Sequence, residues 1–234
     1  MKAGLSRSLR LALREVATEW RNQRLHRASS RKAAQLSAGE PIRLNLGSGK
    51  RLKPEWVNVD LFEPAADLRL DLREPFPFAD RSVAHVYCEH FFEHLNYPNV
   101  ADAMAAQVEA PDRPSEALGF LRECWRVLTP GGVLDIVVPD AERRIGQYVK
   151  RDTERFPMGD DWWGPKWCDT PMHCVNYLFR QGREHKYAYD YETLRRVLES
   201  VGFVEIRRRP FDPAMDAADH ETGSLCVLAR KPVN

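Results

Sequence analysis

An α/β fold with a mostly parallel sheet follows from three observations on this sequence. Short apolar runs alternate with helical segments. The run Val133–Val138 is almost wholly apolar, as in a strand buried on both faces. The first apolar run after residue 40 closes on Gly47-Ser48-Gly49, a strand entering a tight turn. The 234 residues, 43% hydrophobic and 10% aromatic, suit one domain plus an appendage and exclude a disordered chain. No stretch approaches the ~20 apolar residues of a membrane span. Arg10 and Arg14 interrupt any secretory h-region. Five cysteines without CxxC pairing fit a reducing compartment, so a cytoplasmic protein is expected.

Taken in order, the chain begins with a charge asymmetry hidden by its net +1. Residues 1–32 carry nine Lys/Arg against Glu15 and Glu19, a net of +7, which leaves −6 on the remainder. Leu9, Leu13, Val16 and Trp20 recur with helical spacing, which predicts a basic amphipathic helix of about four turns. Its stripe is expected to pack on the acidic main body or to meet anionic lipid or nucleic acid. Ala28 to Pro41 reads as a linker, dividing the chain into residues 1–40 and a domain of residues 41–234.

Within that domain, Ile42–Leu46, Trp56–Asp60 and Val83–Tyr87 read as strands, and Asp67–Leu72 as a weaker one stopped by Pro75 and Pro77. Only six residues, Lys50–Glu55, join the first two, so any helix there is limited to one turn. Ser115–Leu128 is a helix with Ser115 as cap and Leu118, Leu121, Trp125 and Leu128 on one face, ended by Thr129-Pro130-Gly131-Gly132. Tyr191–Val201 is a helix stopped by Gly202, and Phe203–Arg208 and Ser224–Ala229 are the last strands.

A glycine turn at a strand end lets a ligand approach backbone amides. An acid ending the second strand, Asp60, can accept ribose hydroxyls. It lies only 11 residues after Gly49, and Leu52 replaces the third fingerprint glycine, both of which count against a dinucleotide. In order, LNLGSG (44–49), VNVDL (57–61), DLREPFPF (71–78), EHFFEHL (89–95), LRECWRVLTPGG (121–132) and HKYAYDYETLRRVLESVGF (185–203) resemble class I S-adenosylmethionine-dependent methyltransferases. The similarity spans residues 42–231 and is greatest to a bacterial branch associated with surface polysaccharide synthesis. It implies a Rossmann-like, seven-stranded sheet with helices on both faces, a shortened first helix and an antiparallel last strand.

The resemblance further implies S-adenosylmethionine as cofactor. Gly47, Ser48 and Gly49 would line its methionine and ribose side. Asp60 would hold the ribose hydroxyls, Leu61 would pack on the adenine, and Asp71 would face its amino group, with Leu72 beside it. Glu89 and His90 would adjoin the donor methyl and the acceptor. Two positions depart from the pattern: Asn45 replaces the usual acid before the glycines, and Arg51 a third glycine.

Methyl transfer is an in-line displacement in which positioning carries much of the catalysis, and a hydroxyl acceptor gains from a base. His90 is the first candidate base and His185 the second, whereas His94 is read as structural. Cys168, His173, Cys174 and His185 match no paired zinc template, and no metal is assigned. Residues 145–191 hold ten of the 23 aromatics, read as a satellite core or an acceptor lid. Residues 97–114 form a second insertion. The expected acceptor is an oxygen of a glycan, glycolipid or small metabolite, with peripheral contact of residues 1–32 with the anionic inner membrane face. The absence of an Asn/Asp-Pro-Pro-Tyr segment and the acidic body both argue against nucleic acid. The alternatives are an RNA or protein methyltransferase docking through the basic helix, and a non-catalytic binding module.

Overall fold

The computed structural model describes residues 6–36, 39–97, 115–150 and 164–233. Its six strands are β1 (Ile42–Leu46), β2 (Val57–Val59), β3 (Val83–Glu89), β4 (Leu128–Pro139), β5 (Val204–Arg208) and β6 (Ser224–Arg230). They form one mixed sheet in the order β2-β1-β3-β4-β6-β5. Strands β1 to β4 pair in parallel, and β6 runs antiparallel to β4 and β5, as expected for the last strand. The expected seventh strand, 67–72, shrinks to one bridge between Val59 and Leu68. With only three residues in β2, the sheet edge offers almost no ladder for it to extend.

Among the described residues, five α-helices accompany the sheet: α1 (Arg7–Leu36), α2 (Glu116–Val127), α3 (Ala141–Lys150), α4 (Pro171–Arg180) and α5 (Tyr191–Val201). Ser115 caps α2 by accepting from the Leu118 amide, and Asp190 caps α5 through Thr193. Gly202, at φ 101°, ends α5 in the left-handed region where glycine pays no Cβ penalty. Helix α2 ends at Val127, just before the segment expected to stop it, and Thr129–Gly132 lies within β4, which Leu128 already opens.

Period-two alternation sorts the sheet into two faces. Leu44, Leu46, Val86, Cys88, Leu134 and Ile136 meet Phe120, Leu121 and Cys124 of α2 and Leu194, Val197 and Leu198 of α5 in the main core. Each such large aliphatic contributes about 1.5–3 kcal/mol by leaving water. Among the described residues, the second face carries a small cluster of Tyr87, Val137 and Cys226, beside a buried ion-pair network in which Arg209 binds Asp135 at 2.8 Å and Asp216 at 2.6 Å.

Two further expectations are corrected. No helix, even a short one, joins β1 to β2: residues 50–56 are turns, a bend and irregular chain. The Asn45 amide donates to the Arg51 carbonyl and the Lys53 amide donates to Asn58 Oδ1, which pins the connection in place. Helix α1 runs for 30 residues, so the linker read from Ala28 is helical to Leu36. Its expected packing stripe faces solvent, with Trp20 62% exposed. The face turned to the body is polar and small instead, with Asn22 and Ala33 buried. Glu19 pairs with Arg73 at 3.2 Å, His26 Nδ1 accepts from the Asp71 amide, and Ser29 Oγ accepts from the Arg69 amide.

Candidate functional site

The parallel strands β1, β2 and β3 end at one edge of the sheet, and two adjoining cavities open there. The larger, about 820 Å³, is bounded by Asp60, Leu61, Phe62, Asp71, Leu72 and Phe91 on the body and by Leu11 to Asn22 of α1 opposite. The smaller, about 280 Å³, is lined by Asn45, Gly47 to Arg51, Glu89 and His90. Gly47 lines both, so they form one continuous trough. Ten of the eleven predicted site residues border it; His185 alone lines neither cavity.

The glycine loop is rigid because its own amides are already used. Gly47 and Ser48 both donate to the Val59 carbonyl, at 2.8 and 3.1 Å, and the Gly49 amide donates to Asp60 Oδ2 at 3.0 Å. These amides therefore do not point at a ligand, as the sequence suggested. Gly47 has φ 67°, and a Cβ there would lie 2.5 Å from the Phe91 side chain. Asp60 Oδ1 accepts from the amides of Phe62 and Glu63. A carboxylate offers about four acceptor positions, so three amides leave capacity for a ligand hydroxyl.

Asp71 sits at the trough wall, but both of its oxygens are gripped by Arg73, at 2.9 and 2.6 Å. Burial alone would raise its pKa; the Arg73 hydrogen bonds outweigh burial and hold it below the ordinary carboxylate value. At the polar end, Glu89 Oε1 accepts from the Ala217 amide and lies 3.0 Å from His220 Nδ1. Burial again pushes upward, and those contacts with His220 and Ala217 hold Glu89 ionised below its usual range. Arg51 pairs with Asp219 at 2.7 Å, so the 209–220 connection closes this end. The residues sequence reasoning missed are Phe62, exposed at the trough mouth, and Arg51, His220 and Asp219. Only proximity in space, not spacing in the chain, brings the last two in.

The two candidate bases differ sharply. His90, at φ 50°, borders the polar cavity, with Nε2 2.9 Å from Ser224 Oγ and Nδ1 3.4 Å from Glu93 Oε1. Burial first, then His220 stacked 3.7 Å away, hold it neutral well below its usual value. His185 is buried behind the trough, its Nδ1 2.6 Å from the Leu178 carbonyl. Cys168 and Cys174 form a satellite cluster, while His173 pairs with Asp169 at the surface, so the four do not converge. Of the aromatic-rich stretch, Tyr189 packs into the main core against Phe92 and Tyr187 joins it, whereas Trp167 is exposed. Phe156, Trp162, Trp163 and all but Tyr97 of the 97–114 insertion lie outside the described residues.

No protein-family model matches the chain, and no curated protein does either. Among solved structures that resemble it is a SAM-dependent methyltransferase from Thermotoga maritima, 14% identical, TM-score 0.44, covering 94% of this chain and 96% of that one. The CurJ carbon methyltransferase is 14% identical with TM-score 0.44, over 83% of this chain and 50% of that one. Haemonchus contortus phosphoethanolamine N-methyltransferase 2, in complex with S-adenosyl-L-methionine, is 13% identical with TM-score 0.46, over 87% and 52%. The chain thus spans about half the length of the last two.

Proposed function

We propose that the chain is an S-adenosylmethionine-dependent methyltransferase acting on an oxygen of a glycan, glycolipid or small metabolite. The continuity of the trough at Gly47 is the observation that carries this reading. It sets an apolar slot, a ribose-binding acid and a charged end in one line, the order of parts in that cofactor. Leu61 and Leu72 flank the adenine, with Phe62 over the mouth, and the spare acceptor capacity of Asp60 takes a ribose hydroxyl. Lys50 and Arg51 face the carboxylate, and Glu89 supplies the anionic partner that Asn45 cannot give the ammonium. Asn45 instead braces the loop. When bound, the cofactor supplies an electrophilic methyl on sulfur. His90 borders that end and accepts the acceptor proton, while His185 acts from behind it. The walls exclude water and align the acceptor, which is where much of the rate arises in such displacements.

Titration calorimetry with S-adenosylmethionine tests the reading. Micromolar binding is expected, lost at least 100-fold in Asp60→Ala; absence of binding by both S-adenosylmethionine and its demethylated product sinks it. We further assign the exposed stripe of α1, Leu9, Leu13, Val16 and Trp20, flanked by Arg10, Arg14 and Arg24, to contact with an anionic membrane. No described helix is long and apolar enough to cross one. Flotation with anionic vesicles should drop several-fold for Val16→Ser/Trp20→Ser, and equal binding by both proteins would refute the assignment.

A further inference from the structure

Behind the polar end of the trough lies a second cluster. Glu93 follows β3 in a short 3-10 turn (Phe92–His94), His94 is its neighbour, and His185 arrives from the loop before α5. One donor atom from each of these three lies within 4.8 Å of the other two. Glu93 is 1% exposed, and neither of its oxygens has a hydrogen-bond partner. A buried carboxylate left in that state is costly unless something else meets it.

Three imidazoles surround it: His90 Nδ1 stands 3.4 Å from Glu93 Oε1 without forming a hydrogen bond, and the other two offer no donor. His185 Nδ1 lies 2.6 Å from the Leu178 carbonyl and His94 Nδ1 3.2 Å from the Glu184 carbonyl. A carbonyl can only accept, so each Nδ1 carries the proton, and each Nε2 of a neutral ring is a lone pair. His185 Nε2 is 4.0 Å from Glu93 Oε1, too far for a hydrogen bond. Backbone carbonyls that fix the outer nitrogen of a histidine are the usual support of a metal-binding imidazole.

We propose that Glu93, His94 and His185 form a site for a divalent transition cation. Two imidazoles and a carboxylate suit Zn²⁺, Co²⁺ or Fe²⁺ and disfavour Mg²⁺, which prefers an all-oxygen shell. In a tetrahedral site with bonds of about 2.1 Å the ligand atoms stand about 3.4 Å apart, so the cluster closes by about an ångström on binding. His94 borders the larger cavity, so the coordination position left by three protein ligands opens toward the trough. There the ion polarises an acceptor oxygen; this role, though not the site itself, rests on the methyltransferase reading.

Cobalt is the probe. The full chain, stripped of metal, is titrated with Co²⁺ and followed by visible absorption and proton NMR. One equivalent is expected to bind, displaced by Zn²⁺ and not by Mg²⁺. Two hyperfine-shifted, exchangeable imidazole N–H signals should appear, one for each carbonyl-held Nδ1. Glu93→Gln and His185→Gln should each weaken binding at least tenfold, with the surface variant His173→Asn unchanged. The NMR count is read on the unaltered protein, so it decides even if a variant fails to fold. No stoichiometric binding, no pair of shifted signals, or full affinity in a folded Glu93→Gln overturns the proposal. In that case Glu93 is a protonated acid, as its burial, which pushes its pKa up to about 8, would favour. Calorimetry with S-adenosylmethionine on the same metal-free sample keeps the two readings separate, since either ligand can bind without the other.

Discussion

The trough has two walls made in opposite ways. On the body side the glycine loop, Asn45, Asn58 and Asp60 lock one another through short backbone and side-chain hydrogen bonds in a buried setting. On the other side α1 is one long helix, mostly exposed, tied down by a few polar contacts with its apolar stripe turned to solvent. The first wall is held rigid by its own hydrogen bonds; the second rests on the body through few contacts. A ligand-binding cleft needs both, because precise contacts require rigidity and entry requires a part that can give.

The rigid wall breaks most easily at Gly47. Gly47→Ala places a Cβ against Phe91 and forces an L-residue to φ 67°, costing about 1–2 kcal/mol for the backbone alone and about 2–4 kcal/mol with the clash. Urea denaturation should show that loss, and affinity for S-adenosylmethionine should fall by 100-fold or more. Gly49 shares the positive φ, but a Cβ there meets open space. Gly49→Ala should therefore cost only about 1 kcal/mol. Equal penalties at both positions would show that the Phe91 contact is unimportant.

Legibility in the sequence follows the same division. The glycine loop, Asp60, the Ser115 cap and the strands β3 to β6 were readable because local chemistry decides them: turn residues, cap spacing and runs of apolar side chains. Helix α1 was misread at its far end because Ala28–Leu36 is polar and small. Hydrophobic periodicity then picked out the exposed stripe, while the docking face is held by hydrogen bonds. The strand at 67–72 failed because β2 is too short to template it. The cluster of Glu93, His94 and His185 was invisible because some 90 residues separate its two halves, and nothing local marks Glu93 as buried.

At the junction of the two walls stands Asp71. Arg73 holds both of its oxygens, and the Asp71 amide meets His26 of α1. Asp71→Asn leaves Arg73 without its buried partner and should destabilise the fold by about 1–3 kcal/mol at pH 7. Because the folded pKa is lowered, the stabilisation is fully present above the unfolded value of about 3.9 and is lost as pH falls through the lower folded value. The gap between wild type and Asp71→Asn in thermal denaturation should therefore be the same at pH 7 and pH 5. A gap that closes above pH 5 would mean that Asp71 is not held ionised by Arg73.

The helical wall responds to a smaller change. Glu19 reaches Arg73 from α1 across 3.2 Å, with both side chains about half exposed at 46% and 40%. Solvent and salt screen such a pair, so Glu19→Gln should alter global stability by only about 0–1 kcal/mol. Its effect belongs to the local opening of α1, which exposes few apolar contacts. Hydrogen exchange of the α1 amides should accelerate several-fold in Glu19→Gln, while amides of β1 and β3 keep their protection. Raising salt should speed exchange in the wild type and leave the variant nearly unchanged, because the variant has no ion pair left to screen. If β1 accelerates in step with α1, the two walls open as one unit and the helix is part of the rigid frame.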